Sequence, residues 1–481
     1  MIINLPERTR ISLITEDKSL SSQELSKEAL NIATQLQRFG IGKGDLVVII
    51  ASYQPSFFST LFGAWRAGAC VACVNSSITL SEINNICNFV KAKAIVGAGN
   101  LAFEEAPAAP YIDTTQESES SHPFTEVVEH GLDDDALMLF TSGTTGTPKG
   151  VTHSFRSLFA RIAINREEIG DEVLRNTLSP LPTHFGHGLI GNCLTAIFAG
   201  AHLRIVPGVS VEIASNFGKL LDEHEISFMS SVPAMWRIIT RLSSGPEKQY
   251  LRRVHVGSAP LSSDLWGDIA KWCSLDSIWN VYGITEACNW IGGRTYIRGV
   301  AEDGLIGKAW GGSYAVKLDD GSIQNHGKGE LLVQTPTLMR GYFDRPETTA
   351  EALQSGWFHT GDIAVIDEMG NAKLIGRQKN EINRAGLKIH PEDIDILLEK
   401  HKDIKEACAF PVSDPLAGQI VGVAIVPEDS SNFDLATVKT HCRENLIPEK
   451  NPDRWFVVDG IPKTDRGKIN RENVANFCLN E

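Results

Sequence analysis

The sequence predicts an α/β protein with a large N-terminal domain and a small α+β C-terminal domain. At 481 residues the chain is longer than a single hydrophobic core usually supports, so we expect at least two domains. Short β-rich runs alternate with helical patterns through most of the chain, as in parallel α/β layers. After about residue 375 a charged, glycine-bearing segment precedes a new pattern, which indicates a domain boundary.

The alternation of strands and helices starts near the N-terminus. The apolar run DLVVIIAS at 45–52 predicts a buried strand, 55–67 predicts a helix, and 68–74 predicts a second strand. Further strands are predicted at 92–96, 202–207 and 253–257. This order indicates sheets that are largely parallel and covered by helices.

The last hundred or so residues form a separate pattern. The segment GRQKNEINRAGLK at 376–388 is the predicted joint, so the domains span 1–377 and 378–481. A helix is predicted at 391–402, and strands are predicted at 406–411 and 421–426. A final Gly-Lys loop follows these elements.

The composition is that of an ordinary globular protein. Hydrophobic residues make up 42% and charged residues 22% of the chain. The net charge of -14 and the lack of a basic tract exclude a nucleic-acid scaffold. The N-terminus lacks a basic region followed by an apolar block, and there is no run of about eighteen apolar residues. We therefore expect a cytoplasmic protein without a membrane span.

The nine cysteines are scattered along the chain, which suits reduced thiols in a cytoplasm. Cys70 and Cys73 form the one close pair. They lie in the apolar run ACVACV at 69–74, and no second pair follows. This setting favours a buried strand over a zinc or redox site.

The strongest local motif is LMLFTSGTTGTPKG at 137–150. A buried strand runs into hydroxyl residues, glycines and one lysine, Lys149. Glycines let backbone N–H groups approach an anion, hydroxyls donate further hydrogen bonds, and the lysine supplies charge, so the segment suits phosphate. Its spacing differs from that of a Walker A loop. Composition alone leaves a Thr/Gly-rich surface turn open as the alternative.

This motif resembles the phosphate loop of the adenylate-forming superfamily, which contains acyl-CoA synthetases, luciferases and adenylation domains. Six further motifs follow in the family's order, at 257–260, 282–286, 341–342, 360–362, 376–377 and 462–468. The resemblance covers nearly the whole chain. It implies a large N-terminal domain with mixed sheets and layered helices, and a small, mobile α+β C-terminal domain.

The resemblance implies an ATP-dependent acid–thiol ligase. In such an enzyme a carboxylate attacks the α-phosphorus of ATP, pyrophosphate leaves, and the acyl group of the acyl-AMP passes to coenzyme A. Two anions must meet, so catalysis needs positioning and charge neutralisation. The implied substrates and cofactors are a small carboxylic acid, ATP, Mg²⁺ and coenzyme A.

By this resemblance the β- and γ-phosphates of ATP are held by seven loop residues, namely Thr141, Ser142, Gly143, Thr144, Thr145, Gly146 and Lys149. Thr285 contacts the α-phosphate. Glu286 binds Mg²⁺, a hard cation that suits a carboxylate ligand.

The nucleoside part of the implied site uses other motifs. Tyr282, followed by Gly283, stacks on adenine, and the backbone of four residues lines the other side, namely Gly257, Ser258, Ala259 and Pro260. Asp362 accepts hydrogen bonds from the ribose hydroxyls with the help of Arg377. Without the resemblance, Asp362 would be interpreted as a turn aspartate after glycine.

Three residues near the joint and the C-terminus complete the implied mechanism. Lys468, in the loop PKTDRGK, reaches the region between the carboxylate and the α-phosphate. The hinge falls at Lys379, and after adenylation the small domain swings and brings Gly386 to a tunnel for the pantetheine arm. Taken alone, Lys468 and Lys379 would be interpreted as solvated lysines.

The acyl pocket is expected to be lined by residues within 183–189, 232–237, 256–257 and 282–290. The family's PxxHxxG motif reads PTHFGHG here, so Phe185 takes the position of the histidine that has a gating role in many family members. The candidate lining residues are His184, Phe185, His187, Trp236 and Trp290, although the tryptophans fit a core equally well. A metal pair of His184 and His187 lacks a further ligand nearby.

Members of the superfamily that activate amino acids usually carry an aspartate in this region that pairs with the α-amino group of the substrate, and 183–195 contains none. The expected substrate is therefore an aryl or medium-chain acid and not an α-amino acid. The alternatives are a ligase that loads the phosphopantetheine of an acyl carrier protein, an oxygenase of the luciferase type, and a non-catalytic acyl- or nucleotide-binding relative. Monomer and homodimer both remain open.

Overall fold

A computed structural model of the protein describes residues 3–16, 18–98, 106–115, 128–141, 149–377, 380–384, 387–414, 417–464 and 468–479. Contacts between residues divide the chain into two units. The first contains Met1–Ser313 and Val333–Phe358, and the second contains Tyr314–Leu332 and His359–Glu481. Each unit is described separately below.

One sheet of the first unit has seven strands within the described residues. In spatial order they are β19 (Gly341–Tyr342), β8 (Lys149–Ser154), β7 (Asp135–Thr141), β4 (Cys70–Val74), β3 (Leu46–Ile50), β5 (Ala94–Gly97) and β6 (Tyr111–Asp113). The neighbouring strands β7, β4, β3 and β5 are parallel to one another, whereas β8 is antiparallel to both β7 and β19. The sheet is therefore mixed.

The second sheet of this unit is also mixed. In spatial order its strands are β15 (Leu305–Ala309), β14 (Trp290–Thr295), β13 (Ile278–Gly283), β12 (Arg253–Gly257), β11 (Phe228–Ser231), β9 (Asn176–Ser179), β10 (His202–Ile205), β1 (Arg10–Leu13) and β2 (Lys18–Ser21). The central strands from β13 to β1 are parallel, and β14, β15 and β2 pair antiparallel at the two ends. The short strand β20 (Leu353–Gln354) pairs with the start of β21 (Trp357–Ile366).

Helices accompany both sheets of the first unit. They are α1 (Ser22–Arg38), α2 (Ser56–Ala67), α3 (Leu80–Val90), α4 (Phe155–Ile169), α5 (Asp171–Leu174), α6 (Thr195–Phe198), α7 (Val211–Ser215), α8 (Phe217–Glu223), α9 (Pro233–Leu242), α10 (Ser263–Cys273) and α11 (Pro346–Ala352), with a π-helix at His187–Leu194 and a 3₁₀ turn at Thr285–Ala287. Local sequence explains several boundaries. Ser21 and Glu24 form a capping box before α1, and Gly68 ends α2 with a φ of 100°.

The core of the first unit is built from the apolar faces of these layers. The strand residues Val47, Val71 and Leu137 are fully buried, as is Trp65 of α2, whose indole N–H donates to the carbonyl of Ala136 at 2.8 Å. Burial of a side chain of this size contributes about 2–3 kcal/mol. The packed core thus holds in place the ends of the strands that carry the candidate site residues.

The second unit contains a small α+β fold. Its sheet consists of β24 (Leu387–Ile389), β23 (Ile382–Arg384), β26 (Gly418–Pro427), β25 (Ile404–Asp414) and β27 (Arg454–Val457), of which β27 pairs in parallel with β26. The remaining elements are β16 (Ser313–Lys317), β17 (Ile323–Gln324), β18 (Gly327–Gln334), β22 (Ala372–Arg377), α12 (Pro391–Glu399), α13 (Leu435–Asn445), α14 (Arg471–Leu479) and a 3₁₀ turn at Pro448–Lys450. Its core includes Ile394, Ala409, Val423 and Val438.

The predicted fold class is confirmed, with mixed sheets and layered helices in the large part and an α+β arrangement at the C-terminus. All nine predicted strands and helices are present, with ends that differ by a few residues. The boundary at 377/378 stays a prediction. The second unit begins before it, and the predicted hinge residue Lys379 lies outside the described residues.

The cysteine interpretation is confirmed as well. Cys70 and Cys73 are buried in β4, where an odd separation points their side chains to opposite faces of the sheet. All nine cysteines are buried and free. Over the described part of the chain, no helix is both long enough and apolar enough to cross a membrane.

Candidate active site

The phosphate-loop motif connects two paired strands. β7 and β8 are antiparallel, and their register pairs Thr141 with Lys149. The two described ends of the motif, Thr141 and Lys149, therefore lie side by side. The other five predicted phosphate-binding residues lie outside the described residues, namely Ser142, Gly143, Thr144, Thr145 and Gly146.

Lys149 lies beside Tyr342, which in turn contacts Glu286. Its Nζ atom is 5.1 Å from the ring centroid of Tyr342. The hydroxyl of Tyr342 donates a hydrogen bond of 2.8 Å to Oε1 of Glu286. Burial and the nearby Glu286 raise the pKa of Tyr342, so its hydroxyl stays protonated and donates. The structure thus brings together the predicted phosphate-binding lysine and the predicted Mg²⁺ ligand.

Tyr342 is a site residue to which the sequence analysis assigned no role. The available signal was its motif, Gly341-Tyr342, in the family's order. β19 pairs with β8 so that Tyr342 lies opposite Val151, two residues from Lys149. This register explains why the ring lies next to the lysine.

Contacts from three directions fix the turn that carries Thr285 and Glu286. Met339 donates its backbone N–H to the carbonyl of Glu286 at 2.7 Å. Nε2 of His153 is 2.8 Å from the carbonyl oxygen of Thr285, and the thiol of Cys288 is 3.3 Å from Nδ1 of the same ring. Burial lowers the pKa of His153 to about 4, so the ring is neutral near pH 7.

The predicted adenine-binding residues lie at the carboxyl ends of neighbouring parallel strands. Gly257 ends β12 and pairs with Val281 on β13, one residue before Tyr282. A side chain on Gly283 would collide with the backbone of Asn289, which explains the glycine there. Ligands of open α/β sheets bind at such strand ends. The other predicted residues of the loop after β12 are exposed, namely Ser258, Ala259 and Pro260.

The predicted ribose pair is assembled within the second unit. Asp362 on β21 lies directly opposite Arg377 on β22 in the antiparallel register, and Nε of Arg377 donates to Oδ1 of Asp362 at 2.6 Å. Asp362 is only 3% exposed, whereas the side chain of Arg377 is 61% exposed. The guanidinium thus orients a carboxylate that is held by the sheet.

Lys468 belongs to a short hairpin near the C-terminus. Lys463 and Ile469 form an antiparallel bridge, and Thr464 and Lys468 exchange hydrogen bonds. Lys468 itself is exposed. Residues 465–467 of this loop, as well as Lys379 and Gly386, lie outside the described residues, so the hinge and tunnel roles stay predictions.

His187 of the predicted acyl pocket has a serine hydroxyl close to each of its ring nitrogens. Its Nδ1 atom is 2.6 Å from the hydroxyl of Ser258, and its Nε2 atom is 2.5 Å from the hydroxyl of Ser230. The ring of Trp290 packs edge-on at 5.4 Å between centroids. His187 starts the π-helix, a form that is frequent at functional sites. Both ring nitrogens contact serines, which argues against the metal-pair alternative.

The other pocket candidates are placed differently. His184 and Phe185 contact each other, with ring centroids 4.9 Å apart. Trp236 is fully buried, packs against Phe217 and Trp272, and donates its indole N–H to Ser231. Its contacts are those of a core residue, and its role in the pocket stays a prediction. In the described ranges, no three His, Cys, Asp or Glu residues are arranged to hold a metal ion.

The sequence profile of the family "AMP-binding enzyme" matches residues 4–343, and that of the "AMP-binding enzyme C-terminal domain" matches residues 393–468. Among curated proteins, the chain is 30% identical over 463 residues to the oxalate–CoA ligase of Arabidopsis thaliana. The match covers 92% of this chain and 90% of that relative.

Solved structures show the same fold. The O-succinylbenzoate coenzyme A synthetase of Bacillus subtilis in complex with AMP superposes with a TM-score of 0.87 at 22% identity, and 98% of this chain and 96% of that chain are covered. A structure of the same enzyme with ATP and a magnesium ion gives a TM-score of 0.85 at 22% identity, with 96% of each chain covered. The family match over most of the chain confirms what the motifs predicted: this protein belongs to the AMP-binding enzyme family.

Proposed function

We propose that this chain is an ATP-dependent acid–CoA ligase. It adenylates a carboxylic acid, releases pyrophosphate, and transfers the acyl group to coenzyme A. The contact of Lys149 and Glu286 with the same tyrosine, Tyr342, carries the adenylation half, since it brings a cation and an acidic ligand together at the end of the phosphate motif. The similarity to the oxalate–CoA ligase supports coenzyme A as the acceptor.

The candidate site residues that the structure describes act in the first half-reaction. A carboxylate oxygen of the acid bonds to the α-phosphorus of MgATP while the bond from that phosphorus to the β-phosphate oxygen breaks. Lys149 neutralises phosphate charge and Thr285 donates to the α-phosphate. Glu286, oriented by Tyr342, serves as the ligand for the Mg²⁺ that accompanies ATP. Asp362 binds the ribose and Lys468 approaches the reacting oxygens.

In the second half-reaction the sulfur of coenzyme A attacks the acyl carbonyl carbon and AMP leaves. Lys468 has no task in this step. The segment around Gly386 is proposed to admit the pantetheine arm after a rotation at Lys379. A carrier-protein phosphopantetheine is the alternative acceptor, and it would require only a different recognition surface.

The acid is proposed to be aryl or medium-chain and to lack an α-amino group. Trp290 and His187 supply aromatic surface for such a group. The two serine contacts of His187 add polar character, so acids with a second polar group belong in the substrate test. The free, buried thiols support the proposed cytoplasmic location.

The decisive experiment measures pyrophosphate release with ATP and Mg²⁺ over a panel of acids. The panel contains benzoate, octanoate, oxalate, 2-succinylbenzoate and an α-amino acid, and coenzyme A is compared with a phosphopantetheinylated carrier protein. Pyrophosphate and AMP should appear with at least one acid, and thioester should form on coenzyme A. Formation of ADP and phosphate would contradict adenylation, and acylation of the carrier alone would contradict the proposed acceptor.

A further inference from the structure

The turn that follows Thr285 and Glu286 has an unusual backbone. Cys288 has a φ of 69° and a ψ of -53°, and the N–H of Asn289 donates to the carbonyl of Ala287 at 2.9 Å. These dihedral angles and this hydrogen bond define a γ-turn of the rare, strained kind. A non-glycine residue in such a conformation persists only where surrounding contacts hold it, and such residues cluster at functional sites.

The thiol of Cys288 takes part in a directed chain of hydrogen bonds. A carbonyl oxygen can only accept, so His153 must donate from Nε2 to the carbonyl of Thr285. In the neutral ring Nδ1 is then an acceptor for the thiol 3.3 Å away, and the same thiol also lies 3.5 Å from the carbonyl oxygen of Thr337. Both side chains are fully buried. The carbonyl of Thr285 requires the Nε2–H tautomer of His153, and the thiol supports that tautomer from the other side of the ring.

Other contacts keep the turn in place. Thr337 donates its hydroxyl to the carbonyl of Ala287 at 3.1 Å and receives a hydrogen bond of 2.7 Å from Arg161. Gly186 packs directly against the carbonyl oxygen of Cys288, where a side chain would collide. The strained turn is thus clamped between the strand that begins with Lys149 and the segment that leads into the predicted acyl pocket.

We propose that Cys288 and His153 are positioning residues for adenylation. The thiol supports the tautomer of His153 that donates to Thr285, His153 anchors the carbonyl of Thr285, and the γ-turn aims Thr285 and Glu286 at the phosphates of MgATP. This inference rests on the proposed function. It adds that the strained conformation of Cys288 lowers stability while it maintains the geometry of the site. Substitutions at position 288 should therefore change stability and activity independently.

The test compares three substitutions of Cys288. Cys288→Gly removes the conformational strain but also the donor, so thermal stability should rise or stay level while kcat for pyrophosphate release falls about 10- to 100-fold. Cys288→Ala should lower both. Cys288→Ser retains a donor and should keep kcat within about threefold of the unsubstituted enzyme. Cys273→Ala, at a buried cysteine outside the site, should lower stability with kcat unchanged.

Substitutions of His153 test the second hydrogen bond of this series, which joins His153 to the carbonyl of Thr285. His153→Gln can still donate to Thr285 and should retain far more activity than His153→Leu, which leaves that carbonyl without its donor. The effect should appear in kcat and in the calorimetric affinity for MgATP, with KM for the acid nearly unchanged.

A readout that needs no turnover separates this inference from the proposed function. In ¹⁵N-labelled protein, long-range ¹H–¹⁵N spectra should show His153 as the Nε2–H tautomer, and Cys288→Ala should weaken that preference. Retention of the tautomer in Cys288→Ala, or wild-type kcat in both Cys288→Gly and His153→Leu, would overturn the positioning role. Failure of every acid in the substrate panel would contradict the proposed function while leaving the tautomer result intact.

Discussion

The hydroxyl of Tyr342 donates a hydrogen bond of 2.8 Å to Oε1 of Glu286. The same ring lies 5.1 Å from Nζ of Lys149. A hydrogen bond to a charged group contributes about 1.5–3 kcal/mol. Tyr342 therefore orients the carboxylate proposed to bind Mg²⁺, while its ring lies beside the lysine proposed to bind phosphate.

Tyr342→Phe keeps the ring and removes the donor. We expect the Mg²⁺ concentration for half-maximal pyrophosphate release to rise about 10-fold or more, because Glu286 loses the bond that orients it. A magnesium titration at saturating ATP measures the change. Tyr250→Phe, at a partly exposed ring elsewhere, is the control and should leave the titration unchanged. Coincident curves for Tyr342→Phe and the unsubstituted enzyme would show that Tyr342 has no part in the metal binding proposed for Glu286.

Asp362→Asn tests the ribose contact. The loss of a charged acceptor should raise KM for ATP about 10-fold or more. The unsubstituted enzyme should discriminate between ATP and 2′-deoxy-ATP, and Asp362→Asn should lose most of that discrimination. Asp320→Asn changes an exposed turn aspartate and serves as the control. If Asp362→Asn and Asp320→Asn discriminate equally well between ATP and 2′-deoxy-ATP, Asp362 does not contact the ribose.

Lys468→Ala tests the separation of the two half-reactions. Acyl-AMP formation should fall on the order of 10²- to 10³-fold, whereas conversion of supplied acyl-AMP to thioester should remain nearly intact. Lys463→Ala is a control in the same loop, where Lys463 forms an ion pair of 2.7 Å with Glu406. Conversely, Gly386→Trp and Lys379→Pro should spare the first release of pyrophosphate and block thioester formation. Equal losses in both half-reactions would rule out the two-state mechanism.

Asp395→Asn tests the anchor of the segment that follows Lys468. Arg471 forms ion pairs with Asp395 at 2.6 Å and Glu392 at 3.1 Å, and its guanidinium also donates to the carbonyl of Ala409. Weakening a buried pair of this kind should cost about 3 kcal/mol of unfolding free energy. Chemical denaturation measures the loss. Glu472→Gln, at an exposed acid in α14, should change the stability by less than about 0.5 kcal/mol.

His153 predicts a pH dependence of stability. Its pKa is lowered by burial from the ordinary value of 6.5 to about 4, so the unfolded chain binds a proton more readily than the folded protein. The neutral ring contributes stability above pH 6.5 that is lost as the pH falls through 4. One pKa unit corresponds to about 1.4 kcal/mol, so this histidine contributes about 3 kcal/mol. His153→Gln should flatten the decline between pH 6.5 and 4, whereas exposed His326→Gln should not.

The sequence alone determined the layers of the fold and the family. Strand and helix periods are local, so buried strands such as β3 and β4 were predictable from short runs of apolar residues. Family motifs also identify residues whose local backbone structure is shared within the family. The pairing of Asp362 with Arg377 agrees with the joint role that the resemblance implied.

The tertiary structure decided which side chains meet. His153 and Thr285 are 132 residues apart in the chain, and Tyr342 and Glu286 are 56 apart. Their contacts depend on the register of β8 with β19 and on a strained turn, neither of which leaves a local period in the sequence. Similarly, Trp236 and Trp290 are both buried core residues with the same composition signal. Only the tertiary structure shows that Trp290 also packs against His187, whereas Trp236 packs against Trp272.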